Sequence, residues 1–379
     1  MPMRIIAAPD SFKGSLTALE AAECIEAGVK KAVPDAHVIK IPISDGGEGF
    51  VLAMTAACGG KIINTTAMGP LMNKAPAYFG VIDDDTAVIE MAVTSGLALL
   101  SETEMDPLLT TTYGVGELIG EACSHGYRKI ILGIGGSATN DGGMGMAQAL
   151  GVKFYGKSGN LLGQGGKFLC EVDKIDMSSM NIDIKSTEIK VACDVKNPLC
   201  GEYGAANVYG PQKGAVGEAV TFLDNGLRNF AEVILRDLAI DILNIPGSGA
   251  AGGLGGGLIA FAGAVLRPGI EIVLDACHFE NAVKNAGLVI TGEGLTDEQT
   301  CYGKAPVGVA AVAKKYGAPV VCLSGALGHG YEKVFEQGID AAFSIIDNAM
   351  TLKQAMNEAG CLLTQAACNI ARLYRATVV

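Results

Sequence analysis

R-I-I-A-A-P-D-S-F-K-G-S-L-T-A-L-E-A-A-E-C-I-E-A-G-V-K-K-A-V-P-D-A-H-V-I-K-I-P-I, residues 4 to 43, decides the fold. Arg4 to Ala8 is short, apolar and β-like, Ala18 to Lys31 repeats its apolar residues at helical spacing, and Val38 to Ile43 is apolar again. Strand, helix and strand separated by polar turns read as one unit of a parallel sheet. The same rhythm returns near the C-terminus, in Leu288 to Ile290, Pro319 to Leu323 and Ala341 to Ile346, with helical stretches such as Ala305 to Lys315 between. Residues 61 to 100 have a different texture, with no convincing helix but β-like pieces at Lys61 to Thr66, Ala77 to Ile82 and Ala87 to Met91. The run Asp83, Asp84, Asp85 is a hairpin-turn signal. Residues 111 to 285 add strands at Lys129 to Gly133 and Ile189 to Asp194, and helices such as Phe222 to Ala239. The expected architecture is α/β in two domains. A flavodoxin- or Rossmann-like parallel sheet domain, residues 1–60 with 286–379, is interrupted by an inserted mixed α/β domain, residues 61–285; one continuous large sheet is the alternative.

Composition narrows the function. A chain of 379 residues exceeds what one hydrophobic core usually supports, and 49% hydrophobic against 18% charged residues argues for a packed protein rather than a disordered one. A formal net charge of -12 with no basic run longer than two residues disfavours nucleic acid as a partner, so an anionic small substrate must be held by local donors. The eleven cysteines form no C-x-x-C pair and signal neither a disulfide framework nor a zinc site, which points to the cytoplasm. No signal-peptide pattern precedes the first polar turn. Residues 242 to 266 carry no charge, but eight of the 25 are glycine, so a membrane span is not expected.

Ligands of an open parallel sheet bind beyond the carboxyl ends of its strands. Five turns at such ends share a glycine-rich, acid- or hydroxyl-bearing composition: A-P-D-S-F-K-G-S-L at 8–16, S-D-G-G-E-G-F at 44–50, G-I-G-G-S-A-T-N-D-G-G at 133–143, T-G-E-G-L-T-D-E-Q-T at 291–300 and L-S-G-A at 323–326. Glycine lets backbone N–H groups turn toward an anion, and a helix starting there adds the positive end of its dipole. The G-x-G-x-x-[GA] matches beginning at Gly133 and Gly247 lack the acidic residue that ribose recognition requires, so a nicotinamide-dependent oxidoreductase stays an alternative only. Nucleophilic hydrolysis lacks its G-x-S-x-G elbow, and the four histidines share no metal spacing.

Phosphoryl transfer needs magnesium, donors for the phosphates and a carboxylate to receive the acceptor's proton. Asp45, Glu48, Asp194, Glu293 and Asp297 all fall at expected strand ends, where each is equally suited to capping a helix. Lys13 and Lys304 lie in glycine-flanked turns suited to a phosphate or carboxylate.

These turns, with A-C-D-V-K-N-P-L at 192–199, G-A-A-G-G-L-G-G at 249–256, and D-x-Q-T and G-K-x-P through residue 306, resemble the bacterial glycerate kinase family of the type that gives 2-phosphoglycerate. The resemblance runs from residue 8 to about 325 and implies two α/β domains, one inserted in the other, with ATP and magnesium as cofactors. The 2-position rests on the resemblance alone. On this basis Asp10, Ser11, Lys13, Glu293 and Lys304 are expected to bind substrate, with Ser11 and Lys13 gripping the glycerate carboxylate or the moving phosphate. Asp194 is expected as proton acceptor or metal ligand, with Asp45 and Asp297 as the other candidates and Lys13 beside them. Asp45 and Asp194 are the expected magnesium ligands. Gly135, Gly136, Ser137, Asn140, Gly252, Gly253 and Gly255 are expected to cradle the ATP phosphates, in a site between two domains that closes on substrate. A non-catalytic small-anion-binding protein is the remaining alternative, and the oligomeric state is open.

Overall fold

The computed structural model describes residues 3–378, apart from the side chains at 182 and 378. Its strands are β1 (Arg4–Pro9), β2 (His37–Lys40), β3 (Lys61–Met68), β4 (Lys74–Val81), β5 (Thr86–Glu90), β6 (Lys129–Gly133), β7 (Lys153–Gly156), β8 (Val172–Asp176), β9 (Glu188–Ala192), β10 (Val265–Arg267), β11 (Leu288–Thr296), β12 (Val320–Leu327) and β13 (Ala341–Ser344). The chain divides into two compact units, one of residues 1–45, 52–60 and 270–379 and the other of residues 46–51 and 61–269.

In the first unit five parallel strands stand in the order β13-β12-β11-β1-β2. Numbered within the unit this is 2-1-3-4-5, the flavodoxin order, whose topological switch point falls between β1 and β11. Ile5, Ala7, Leu288, Ile290 and Leu323 meet Ala21, Ile25 and Val29 of the helix Ala18–Ala32 and Leu363 and Ala367 of the helix Leu352–Val378 in one core. Thr17 starts the first of these helices with a capping box: its Oγ1 accepts from the Glu20 amide at 3.2 Å, and its own amide donates to Glu20 Oε2 at 2.8 Å.

Two sequence readings shift here. The strand expected to run to Ile43 ends as sheet at Lys40, because Pro42 has no N–H to donate; Ile41 and Ile43 still donate to Ala7 O and Pro9 O at 2.8 and 2.9 Å. The polar T-G-E-G-L-T stretch, read as a turn, is the extended end of β11. It pairs with β12 out to Thr296 opposite Leu327, so two of the five expected turns are strand termini.

The second unit carries a six-stranded mixed sheet, β10-β9-β6-β5-β4-β3, parallel from β10 to β5 and antiparallel beyond, plus the antiparallel ribbon β7-β8. The Asp83 to Asp85 run joins β4 to β5 as expected: Asp83 Oδ1 accepts from the amides of Asp85 and Thr86 at 2.8 and 2.6 Å. The rings of Phe154, Phe230 and Phe261 fill its core with centroids 5.6 to 6.0 Å apart. The apolar tract 242–266 breaks into glycine turns, a nine-residue helix Leu254–Ala262 and β10. Among the described residues no helix is long and apolar enough to cross a membrane.

The seam expected at residue 286 lies instead at 269/270. The helices Gly269–Ala276 and Phe279–Val283 pack with the first unit, where the Tyr316 hydroxyl donates to Glu280 and Cys58 Sγ lies 3.4 Å from Cys277 Sγ.

Candidate active site

In the first unit the residues expected to form the site gather at the carboxyl ends of β1 and β11, on either side of the switch point. The apolar β1 stops at Pro9, and the next amide, of Asp10, donates to Gly292 O at 2.8 Å, which carries the alignment of the two strands one residue further. Burial raises the Asp10 carboxyl from 3.8 to about 7, and the charges of Asp45 and Glu293 add to the rise, while the Ser11 amide, 2.6 Å from Asp10 Oδ1, pulls against it. Glu293 is buried and is likewise pushed up by burial. Its Oε1 accepts from Thr300 Oγ1 at 2.7 Å and Thr296 Oγ1 at 3.1 Å, and Thr296 Oγ1 lies 2.7 Å from Ser324 Oγ. Lys304 Nζ stands 3.7 Å from Asp297 Oδ1 and 4.0 Å from Glu293 Oε2. Asp297 also caps the turn that follows, accepting from the Gln299 amide at 2.9 Å. Lys13 sits exposed at the tip of a small closed loop, where the Phe12 amide donates to Leu16 O at 2.8 Å.

In the second unit two of the expected phosphate loops interlock behind β6. The Gly142 amide donates to Gly252 O at 3.0 Å, and Gly252, at φ +70°, lies so close to residue 139 that a Cβ there would stand 1.9 Å from the Thr139 carbonyl oxygen. Gly252, Gly253 and Gly255 are all buried, whereas Gly135 is half-buried and Gly136 exposed. Around 135–138 the Gly135 amide donates to Gly46 O, the Leu97 amide to Gly136 O and the Ala138 amide to Ser95 O, at 3.1, 2.9 and 2.9 Å. The amides of Gly136 and Ser137 have no protein acceptor among the described residues. With Gly136 at φ +72°, two successive N–H groups are presented as in an anion nest.

Beneath this turn lies a polar interior. Lys213, 1% exposed, donates from Nζ to Ser137 Oγ and to Thr139 O, each at 2.7 Å. Burial drags its ammonium down to about 7, against the charge of Asp141. Asp141 is fully buried and accepts from the Thr112 amide at 2.8 Å, Thr112 Oγ1 at 2.9 Å, Thr111 Oγ1 at 3.2 Å, and the Gly143 and Gly145 amides at 3.1 and 3.2 Å. Burial raises its carboxyl while those donors oppose the rise. Both side-chain polar atoms of Asn140, and Thr139 Oγ1, are buried with no partner among the described residues, a cost that a ligand or an ordered water would relieve. Asp194, following β9, is exposed and accepts from the Gly269 amide at 2.9 Å.

A family model described as the glycerate kinase family matches residues 5–375. The chain is 52% identical to a glycerate kinase of Halalkalibacterium halodurans, over 97% of each chain, and 48% identical to a glycerate 2-kinase of Escherichia coli, again over 97% of each. The chain belongs to the glycerate kinase family. Its structure also matches the crystal structure of a protein designated glycerate kinase 2 from Salmonella typhimurium LT2, with a TM-score of 0.91, 46% identity and coverage of 100% of this chain and 99% of the other.

Of the residues expected to serve a glycerate kinase family site, the fold brings Asp10, Ser11, Asp45, Glu293, Asp297 and Lys304 to one end of the first sheet, and Gly135, Gly136, Ser137, Asn140, Gly252 and Gly253 to one interlocked pair of loops in the second. Gly255 packs against Gly247 O instead. Sequence reading missed Lys213, which sits between Gly210 and Gly214 in the same glycine-flanked setting as Lys13 but follows a helix, where a search of strand ends does not look. It also missed Glu90, the buried last residue of β5, whose carboxylate accepts from the Gly49 and Val51 amides at 3.1 and 3.2 Å and so fixes the S-D-G-G-E-G-F turn. No group of three or more metal-ligating side chains occurs among the described residues. The carboxylates of Asp45 and Glu293, whose charges act on Asp10, nonetheless have with it the hard-oxygen chemistry that magnesium favours, and magnesium needs only one or two of them beside phosphate oxygens.

Proposed function

We propose that this protein transfers the γ-phosphoryl group of ATP to glycerate and releases 2-phosphoglycerate and ADP, in the cytoplasm. The placement of Asp10 at the β1–β11 switch point carries the chemistry: a carboxylate with a proton affinity near neutrality, ringed by acidic and hydroxyl groups, at the position where this sheet order binds ligands. As the glycerate 2-oxygen forms its bond to the γ-phosphorus, the bond from that phosphorus to the β-bridging oxygen breaks. Asp10 takes the hydroxyl proton and ADP leaves. Asp10 thus replaces Asp194 and Asp297 as the first choice of base, because Asp194 is exposed and Asp297 is occupied in capping.

Asp45 would hold magnesium, with Asp194 as the alternative ligand; when bound, the ion neutralises charge on the phosphates. Lys13 and Lys304 offer cations for the glycerate carboxylate, with Ser11 and Glu293 beside them. The open amides of Gly136 and Ser137 hold the nucleotide phosphates, with Gly135, Asn140, Gly252 and Gly253 shaping the turn.

Phosphorus and carbon NMR of the product made from D-glycerate and ATP is expected to show the phosphate on C2. Phosphate on C3, or no turnover, would overturn the reading. Lys13→Ala is expected to raise the Michaelis constant for glycerate roughly tenfold, the loss of one charge-assisted hydrogen bond, and to leave that for ATP unchanged in an ADP-release assay. Equal effects on both substrates would move Lys13 away from the carboxylate.

A further inference from the structure

Lys213 is buried, is not at a strand end, and touches no surface on which a substrate could lie, yet both of its hydrogen bonds go to the turn whose outer amides are open. A buried ammonium costs several kcal/mol unless fully compensated, and apolar replacement of buried charges is often neutral or stabilising, so packing alone does not account for it. Its contact with Ser137 has a definite chemical sense. An ammonium has three donors and no acceptor, so in that contact Ser137 Oγ is the acceptor. A hydroxyl that accepts must place its single proton elsewhere, and among the described residues Ser137 Oγ donates to no protein group. The second bond, to Thr139 O, fixes the next carbonyl of the same turn.

We propose that Lys213 is a positioning residue which holds Ser137 as a hydroxyl donor, so that the Ser137 O–H joins the amides of Gly136 and Ser137 in binding the phosphate chain of ATP. This rests on the reading of residues 135–137 as the nucleotide phosphate turn. Asp141 supports the arrangement by its charge, which favours the ammonium over the free amine, and an anion on the turn does the same. Lys213 never meets the substrate; it decides which way a neighbouring proton points.

The experiment is a double-mutant cycle on the full-length protein, read by calorimetric titration with ATP and by steady-state kinetics, with melting curves to confirm folding. Lys213→Met and Ser137→Ala are each expected to weaken ATP binding about tenfold, the worth of one hydrogen bond to a charged group, and to leave the Michaelis constant for glycerate within about twofold. The double variant is expected to be no weaker than either single one, because both remove the same donor. Effects that multiply in the double variant, or unchanged ATP affinity in a folded Lys213→Met protein, would overturn the proposal. Unchanged ATP affinity in Ser137→Ala, by contrast, removes Ser137 from the phosphate site and with it the reading of the turn. Lys213→Gln serves if the methionine variant does not fold. It keeps an N–H donor toward Ser137 Oγ and discards the charge, so it is expected to hold ATP affinity within about threefold. A tenfold loss in the folded glutamine variant assigns the effect to charge rather than to the oriented hydroxyl and defeats the idea.

Discussion

Asp10→Asn is expected to lower kcat by about a hundredfold or more, as removal of a general base does, and at the same time to make the nucleotide-free protein more stable at alkaline pH. The two effects have one origin. The Asp10 carboxyl holds its proton up to about pH 7 in the folded protein and to 3.8 ordinarily. Between those values the folded state binds more protons than the unfolded one, so stability falls as pH rises through the window, and above about 7 the folded protein bears the full cost of an ionised, crowded carboxylate. Asparagine carries no such cost. Melting curves recorded in a chelator are expected to coincide for wild type and variant near pH 4 and to separate steadily toward pH 8, with the variant higher by several degrees, on the order of 4 kcal/mol for a shift from 3.8 to about 7. A variant that loses activity without gaining stability at pH 8 would show that Asp10 is not held buried beside the charges of Asp45 and Glu293.

Gly252→Ala is expected to be the most destabilising single-methyl change in the second unit. Its φ of +70° is strained for any residue with a Cβ, and the added carbon would lie 1.9 Å from the Thr139 carbonyl oxygen. That neighbour is backbone and is itself bonded to Lys213, so it has little freedom to withdraw. A cost of about 3 kcal/mol or more follows, equivalent to a fall of roughly 6 °C or more in Tm. Thermal denaturation of the purified variant measures it. A fall below about 2 °C would mean that the two glycine loops are less tightly joined than the Gly142–Gly252 hydrogen bond implies.

The two-period pattern of β1, the helix Ala18–Ala32 and β2 was readable because apolar spacing is local: the bounds of the strand at Lys129–Gly133 and the helix Ala305–Lys315 follow from it without adjustment. What was not readable is what pairing decides. The polar end of β11 has no strand propensity of its own and becomes sheet only because β12 runs alongside it. The helices after residue 269 look, by composition, as much like the end of the insertion as the resumption of the first unit. The carboxylates of the switch point were found by their place after strands, but their ranking was not, since the proton affinity of Asp10 depends on Asp45 and Glu293, which lie 35 and 283 residues away in sequence. Lys213 was out of reach for the same reason: nothing near it in sequence says that Ser137 and Thr139 will close over it.

The flavodoxin order of the first sheet sets a timetable for synthesis. β1 and β2 emerge first, but the central neighbour of β1 is β11, and the Thr291 hydroxyl that donates to Ala8 O belongs to a residue made 283 positions later. Two parallel strands without that neighbour have too little to bury to persist. The N-terminal segment therefore waits, uncommitted, while nearly all of the second unit is translated with its own partners at hand, and the sheet that carries Asp10 is completed among the last parts of the molecule.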